Sequence, residues 1–400
     1  MSPNEDLEKW MKKVMSKIIE SFGPNIDEAQ YEIDKFADNI AMSSICYVCV
    51  KFKNRMTGLN EEWNVILKRP VQLEALRQRF NSDFQFHNEI LFYQMYARPD
   101  ENFPKCFYAD EKPPTDSVIA LENVNKRGYC PCPYKRDVPL EYTLAAMREL
   151  GRFHGKGYVM KELQKEKFFD IVGQLKNCRY DRPKYEFEIL VNSQATRAVG
   201  YLRTRNYDSV FCDKMEAVLS NAFDEVMMKT VQPLEPLATL CHGDFTLNNI
   251  LFKMEDNGQQ HAMLIDFALL GYSTPVVDLS TYLGLCFSNE MKDKFSEIMQ
   301  AYHNALKEYL LEAGVWNAEK YSYNAFLDDY KRGGLFGYVI ASFFLAHELG
   351  YSTVSAEQLG NMDIKNFSEL IKQNGGDEVS KILADLLLFL RDLGCLKHFL

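Results

Sequence analysis

Asp244, Asn249 and Asp266 are the residues whose types and spacing can do chemistry together. Asn249 stands just before the apolar run Ile250 to Phe252, which ends in Met254-Glu255-Asp256-Asn257-Gly258. Asn-Gly is the strongest short signal for a hairpin turn. A second run, Ala262 to Ile265, leads into Asp266. In an antiparallel hairpin the residue before the first strand lies beside the residue after the second. The spacing therefore predicts that Asn249 and Asp266 meet at the open end, with Asp244 on the loop that feeds it. Two acids and an amide in one place can hold a hard cation and leave one carboxylate to take a proton.

The chain around these residues is that of an ordinary globular protein. Its 400 residues are enough for two or three domains or one large two-lobed fold, and 46% hydrophobic with 26% charged residues is a typical balance. A net charge of −10 argues against a nucleic-acid partner, which would select a basic face. The start, Met1-Ser2-Pro3-Asn4-Glu5-Asp6, lacks the basic and apolar regions of a signal peptide, and the apolar stretch Gly333 to Ala346 is too short to span a bilayer. A cytoplasmic protein with no membrane partner and no evident protein partner is expected. The ten cysteines agree, since most are scattered within apolar runs as small core residues. Cys46 and Cys49 would point to opposite faces of a strand, and Cys130-Pro131-Cys132 is too tight for a zinc pair.

The elements that must position the site follow from periodicity. Residues 5–22 read as an amphipathic helix, with Leu7, Trp10, Met11, Val14, Ile18 and Phe22 on one stripe. Ile45 to Phe52 and Trp63 to Lys68 read as a strand pair around a turn at Asn54 to Asn60. Alternation puts Trp63, Val65 and Leu67 on one face and Ile66 and Lys68 on the other. A helix is expected from Ser82 to Arg98, on which Phe86, Glu89 and Tyr93 share a stripe, so Glu89 is an acid among aromatics. Short strands are expected at Lys105 to Tyr108 and Ser117 to Leu121, joined by the turn Glu111-Lys112-Pro113-Pro114. The polar stretch Asn125 to Pro139 separates a small β-rich lobe from a larger one in which helices dominate from Leu140 onward. Residues 161–232 read as mostly helical and carry no legible chemistry.

His242-Gly243-Asp244, Asn249 five positions past the aspartate, and Asp266-Phe267 resemble the catalytic and metal-binding loops of the protein kinase-like fold. The His-Gly-Asp form is similar to the small-molecule branch, the aminoglycoside and choline kinases. Within that branch the chain most resembles the ecdysteroid kinase-like family, also called CHK kinase-like. The likeness runs through Asp38-Asn39, Lys68, Phe86-His87-Asn88-Glu89, Leu121-Glu122-Asn123-Val124, Leu150 to His154 and Asp278-Leu279. It implies an α+β, two-lobed protein kinase-like fold with a small β-rich N-lobe and a larger helical C-lobe. Residues 1–30 would be an N-terminal helix packing on the fold, 31–124 the N-lobe ending in a hinge, and 125–400 the C-lobe.

The same resemblance implies ATP and Mg²⁺ as cofactors. Lys68 would offer an ammonium to the α- and β-phosphates and Glu89 would hold it in place. Ser43 and Ser44 would donate to phosphate, and Glu122, Asn123 and Val124 would present backbone to adenine. Asn249 and Asp266 would hold the metal, and Asp244 would orient and deprotonate an acceptor hydroxyl. Taken singly, Lys68 reads as a solvated strand end and Glu89 as a helix-surface acid. His242 and His154 read as hydrogen-bonding residues that hold the structure, and Asp278 as a brace for the catalytic loop.

Only twelve positions separate Asp266 from Asp278, which leaves no room for the activation segment of a protein kinase. Thr246 stands two after Asp244, with no lysine near it in sequence. A small-molecule alcohol is therefore the expected acceptor, and the family resemblance implies a steroid or other lipophilic alcohol, or a xenobiotic. Tyr272, Tyr282, Phe287, Phe336, Tyr338, Phe343 and Phe344 are aromatics that either wall an apolar pocket or fill the core. Two positions depart from the family pattern. Ala37-Asp38-Asn39-Ile40 stands where a glycine usually begins the first turn, and Ala268 follows Asp266-Phe267 where glutamine is common. A choline- or ethanolamine-type kinase, or a pseudokinase that binds ligand without turnover, are the competing readings.

Overall fold

The computed structural model describes residues 3–39, 43–180, 185–351 and 362–400. The chain divides into two compact units, the first ending at Gly128 and the second beginning at Tyr129.

The first unit is a five-stranded antiparallel sheet with helices. In chain order it runs α1 (Pro3–Ser21), β1 (Ile26–Asn39), β2 (Ser43–Asn54), β3 (Asn60–Pro70), α2 (Glu74–Phe80), α3 (Ser82–Leu91), β4 (Cys106–Asp110) and β5 (Val118–Glu122). The strands lie in the order β1-β2-β3-β5-β4. The apolar stripe of α1, Trp10, Met11, Val14, Met15 and Ile18, packs on Val48, Val50, Val65, Leu67 and Ala120. Leu67 thus enters this core, and Lys68 must emerge on the opposite face because side chains alternate along a strand. Residues 1–30 therefore contribute both the helix and the first part of β1. That strand carries six acidic or basic residues and is bulged at two places against β2. The departure from the family pattern at residues 37–40 falls at its end, where Ile40 lies outside the described residues. The expected helix from Ser82 is α3, which continues as a π-helical turn over Phe92–Tyr96.

The second unit is mainly helical, with short strands that frame a loop. Its first helices are α4 (Leu140–Leu163), α5 (Lys165–Gln174), α6 (Tyr185–Ala195), α7 (Arg197–Thr204) and α8 (Ser209–Leu219). A two-residue strand, β6 (Cys130–Pro131), precedes them and pairs with β8 (Ile250–Met254). Strand β7 (Thr239–Cys241) pairs with β10 (Gly271–Ser273), and β8 with β9 (Gln260–Leu264). The chain then continues through α9 (Val276–Leu285), α10 (Asn289–Asp293), α11 (Phe295–Glu312), α12 (Tyr323–Gly333) and α13 (Leu335–Glu348). The largely apolar middle of α13 is explained by burial against α9. A Cβ on Gly337 would lie 1.9 Å from the Ser280 carbonyl, so only glycine permits this approach. Tyr282, Phe336 and Tyr338 are core residues here, whereas Phe343 and Phe344 stay partly exposed. Among the described residues no helix is long and apolar enough to cross a membrane.

Candidate active site

The loop at Asp244 is built from the backbone outward. Strand β7 ends at Cys241, and the next two amides point at one buried carboxylate. His242 N–H donates to Asp278 Oδ2 at 2.7 Å and Gly243 N–H to Oδ1 at 2.8 Å. Asp278 sits in the first turn of α9, and His154 of α4 meets it through Nε2 at 3.0 Å. The far nitrogen of His154 lies 2.9 Å from the Tyr302 hydroxyl. A fully buried carboxylate is stable only with such a set of partners. Asp278 thus spends its lone pairs on two loop amides and one imidazole, which is the brace that the sequence reading expected. Cys241 completes a buried group with His154 and Asp278, but burial pushes its thiol well above the usual range. Its Sγ lies 3.4 Å from the Thr274 carbonyl, so hydrogen bonding accounts for the cluster without a metal.

Gly243 is required twice over. Its φ is +79°, and a Cβ there would lie 1.9 Å from the Leu269 carbonyl. His242 holds the other side of the loop. Asp244 N–H donates to its Nδ1 at 3.3 Å, so Nε2 carries the hydrogen and donates to the Ile265 carbonyl at 2.9 Å. This imidazole is neutral and structural.

The hairpin brings Asn249 to the loop. Strands β8 and β9 pair Ile250 with Leu264, and Ile265 N–H donates to the Asn249 carbonyl at 3.0 Å. Asn249 is therefore opposite Ile265, one residue short of the Asp266 that the hairpin argument placed beside it. Asp266 leaves the strand in the left-handed region, with φ of +66°. A non-glycine residue held there is uncommon, and aspartate tolerates it better than most. Asn249 Nδ2 donates 2.9 Å to the Asp244 carbonyl and 2.9 Å to Asp244 Oδ2. The other carboxylate oxygen, Oδ1, accepts from Arg179 Nη2 at 3.2 Å. Arg179 lies in the loop after α5, in the stretch where the sequence showed no chemistry. No spacing rule links it to a residue sixty-five positions away. A cavity of about 290 Å³ adjoins the loop, bounded by Gly243, Arg179, Leu269, Ser273 and Val277.

The first unit presents a second polar group. Lys68 on β3 donates from Nζ to Glu89 Oε1 at 2.7 Å and to Oε2 at 3.0 Å. Their side chains are 12% and 4% exposed, so Glu89 is an interior acid and not a helix-surface one. Ser43 and Ser44 begin β2 and are half-buried. At the end of β5, Glu122 N–H donates to the Lys105 carbonyl and Asn123 N–H to the Asn64 carbonyl, each at 2.8 Å. The Glu122 carboxylate accepts from Arg127, and Asn123 Oδ1 from Asn125 N–H. The amides of Glu122 and Asn123 are therefore already used within the first unit, which leaves their carbonyls and the backbone of Val124 from the segment expected to face adenine.

The sequence profile of the ecdysteroid kinase-like family matches residues 37–315. No curated protein is recognisably similar to the chain in sequence. Among solved structures, a GDP complex of wild-type aminoglycoside 2'-phosphotransferase-IIIa is 13% identical, with 95% of this chain and 98% of that one covered and a TM-score of 0.39. A thermostable mutant of aminoglycoside phosphotransferase APH(4)-Ia in its apo form is also 13% identical, with 94% and 98% covered and a TM-score of 0.31.

Proposed function

The chain belongs to the ecdysteroid kinase-like family, and from that premise we propose that it is an ATP-dependent kinase of a small lipophilic alcohol. The acceptor would be an ecdysteroid-like steroid or a xenobiotic. One observation supports this above the others: a single loop carries a half-buried carboxylate, Asp244, whose orientation is fixed by the amide of Asn249.

In this reading Asp244 is the base. An acceptor O–H gives its proton to the carboxylate as its oxygen bonds to the γ-phosphorus. The bond from that phosphorus to the bridging oxygen breaks, and ADP leaves with the electron pair. A metal position next to it asks for hard oxygen donors. Asn249 spends both Nδ2 hydrogens on Asp244, which leaves its Oδ1 as an acceptor, and Asp266 stands just past the end of the paired strand. This donor set fits Mg²⁺, with Asn249 and Asp266 as its protein ligands. The ion, when bound, supplies charge neutralisation of the phosphates.

Lys68, fixed by Glu89, would contact the α- and β-phosphates, and Ser43 and Ser44 would donate hydrogen bonds to phosphate. With the Glu122 and Asn123 amides committed, adenine recognition falls to the amide of Val124 and the carbonyls of that segment.

The test is ATP consumption by the purified protein with ecdysteroids, other sterols, xenobiotic alcohols and choline, each offered in turn. Turnover with a lipophilic alcohol is expected. Turnover with choline alone would replace this reading by the choline-type one. Flat turnover across the panel would leave a ligand-binding protein without catalysis.

A further inference from the structure

Asp244 has a cationic partner that its own loop does not supply. The position two beyond it is Thr246, and the loop from Cys241 to Asn249 contains neither lysine nor arginine. Arg179 fills that role from the segment after α5, with Nη2 3.2 Å from Asp244 Oδ1. Its side chain is only 13% exposed, so this is not a solvated surface pair. Aromatic side chains line the surroundings of the guanidinium. Its carbon lies 5.5 Å from the centre of the Phe344 ring. The neighbouring Tyr180 is half-buried, and burial pushes its hydroxyl up to about 12. The Tyr180 ring in turn lies against Phe336 of α13, with centroids 6.5 Å apart. Arginine presents its donors in a planar fork, and a guanidinium packed on an aromatic face loses little further freedom on binding a carboxylate.

We infer that Arg179 is a positioning residue for phosphoryl transfer, acting through Asp244. This rests on the kinase reading above. Asn249 holds one carboxylate oxygen and Arg179 the other, so the plane of the carboxylate is fixed at two points. A carboxylate held only by Asn249 would rotate about its Cβ–Cγ bond, and the fraction of time it faces an acceptor hydroxyl would fall. The charge matters as well. When the acceptor's proton arrives, Asp244 becomes neutral while Arg179 keeps its charge. That charge then offsets the negative charge of the phosphoryl group in transfer. A cation supplied by a sequence-distant segment thus does what a lysine within the loop would do.

The experiment compares wild type, Arg179→Lys and Arg179→Ala for ADP release with ecdysone as acceptor and, without it, with water. Arg179→Ala is expected to lose about 10- to 100-fold in kcat, the size of effect expected from a misplaced catalytic group, with KM for ATP within about twofold. Arg179→Lys should recover part of the loss, because it restores the charge without the fork. Guanidinium ion added to Arg179→Ala at concentrations below those that unfold the protein should raise kcat severalfold. A merely structural arginine would instead lower the melting temperature and the ATP affinity together and would show no guanidinium rescue; that result overturns the inference. So does an alanine variant whose kcat matches wild type while the wild type turns over. Wild-type protein that releases ADP with neither ecdysone nor water is assayed with the other alcohols of the panel above, and no turnover with any of them overturns the kinase reading and this inference with it.

Discussion

The Lys68–Glu89 pair and the Asp244 loop are both built around carboxylates, yet they are stabilised in opposite ways. Glu89 is nearly excluded from water, and the Lys68 ammonium reaches both of its oxygens. Such a pair is intolerant of losing either member, because the survivor is left charged in the interior. Asp244 is 31% exposed and shares its oxygens between an amide and a guanidinium. Its loop is fixed one layer further in, where Asp278 gathers two backbone amides and His154. In the first region the group proposed to meet phosphate is itself a buried structural pair. In the second the two duties are divided between different residues, so chemistry and stability can be separated by mutation.

The sharpest separation is expected at Asp244. Asp244→Asn keeps the shape and an acceptor for Asn249 but removes the carboxylate proposed as base, and turnover should fall about 10³- to 10⁴-fold. ATP affinity and melting temperature should stay near wild type, measured by calorimetry and thermal unfolding. An asparagine variant with wild-type turnover would remove Asp244 as the base.

Glu89→Gln should show the contrary pattern. It removes the negative charge paired with the Lys68 ammonium inside the first unit, and losing one member of a buried pair costs about 3–5 kcal/mol, read in denaturant unfolding. ATP binding should weaken along with it. A variant of unchanged stability would show that the pair is better hydrated than its 12% and 4% exposures imply. Asp278→Asn tests the supporting layer. One of the His242 and Gly243 amides would face an NH₂ group, and losing a buried acceptor costs about 1–3 kcal/mol. Turnover should fall through displacement of the loop. If stability drops while turnover per folded molecule is kept, the brace does not position the base.

Much of this contrast was legible before the structure, and the limits of legibility have physical causes. The hairpin was readable because Asn257-Gly258 and two apolar runs are local signals. The inward face of Glu89 was readable because helical spacing with Phe86 and Tyr93 is local too. The register error of one residue between Asn249 and Asp266 came from treating the strand ends as symmetric. The actual pairing stops at Ile250 and Leu264, and Asp266 turns away in a left-handed conformation. Strand β1 was hidden for a different reason. Its Asp, Glu, Gln and Lys residues are poor strand formers, and it is held by pairing along the edge of β2 more than by burial of its own side chains. Arg179 could not have been found at all. Its neighbours Asp244 and Phe344 are brought to it by tertiary packing, and nothing in Asn177-Cys178-Arg179-Tyr180 announces them.

The smallest effect expected concerns Glu348, at the end of α13. Its half-buried carboxyl is pushed above the ordinary glutamate range, first by burial and further by the nearby charge of Asp244, while Asn248, His347 and Lys135 act against the shift. An acid with a raised folded value binds more protons folded than unfolded in the interval between the two values. Its contribution to stability is therefore full below the unfolded value and is lost as pH rises through the folded one. At neutral pH the ionised group is a mild liability beside the loop. Glu348→Gln removes that charge and keeps an oxygen for the Asn248 side-chain amide, which bonds it now. The variant should melt about 1–2 °C higher than wild type at pH 7 and show no advantage at pH 4. Thermal unfolding at both pH values checks this. An advantage that is equal at both would trace the effect to packing. An advantage confined to neutral pH would trace the effect to the charge of Glu348, which burial disfavours first and the neighbouring Asp244 further.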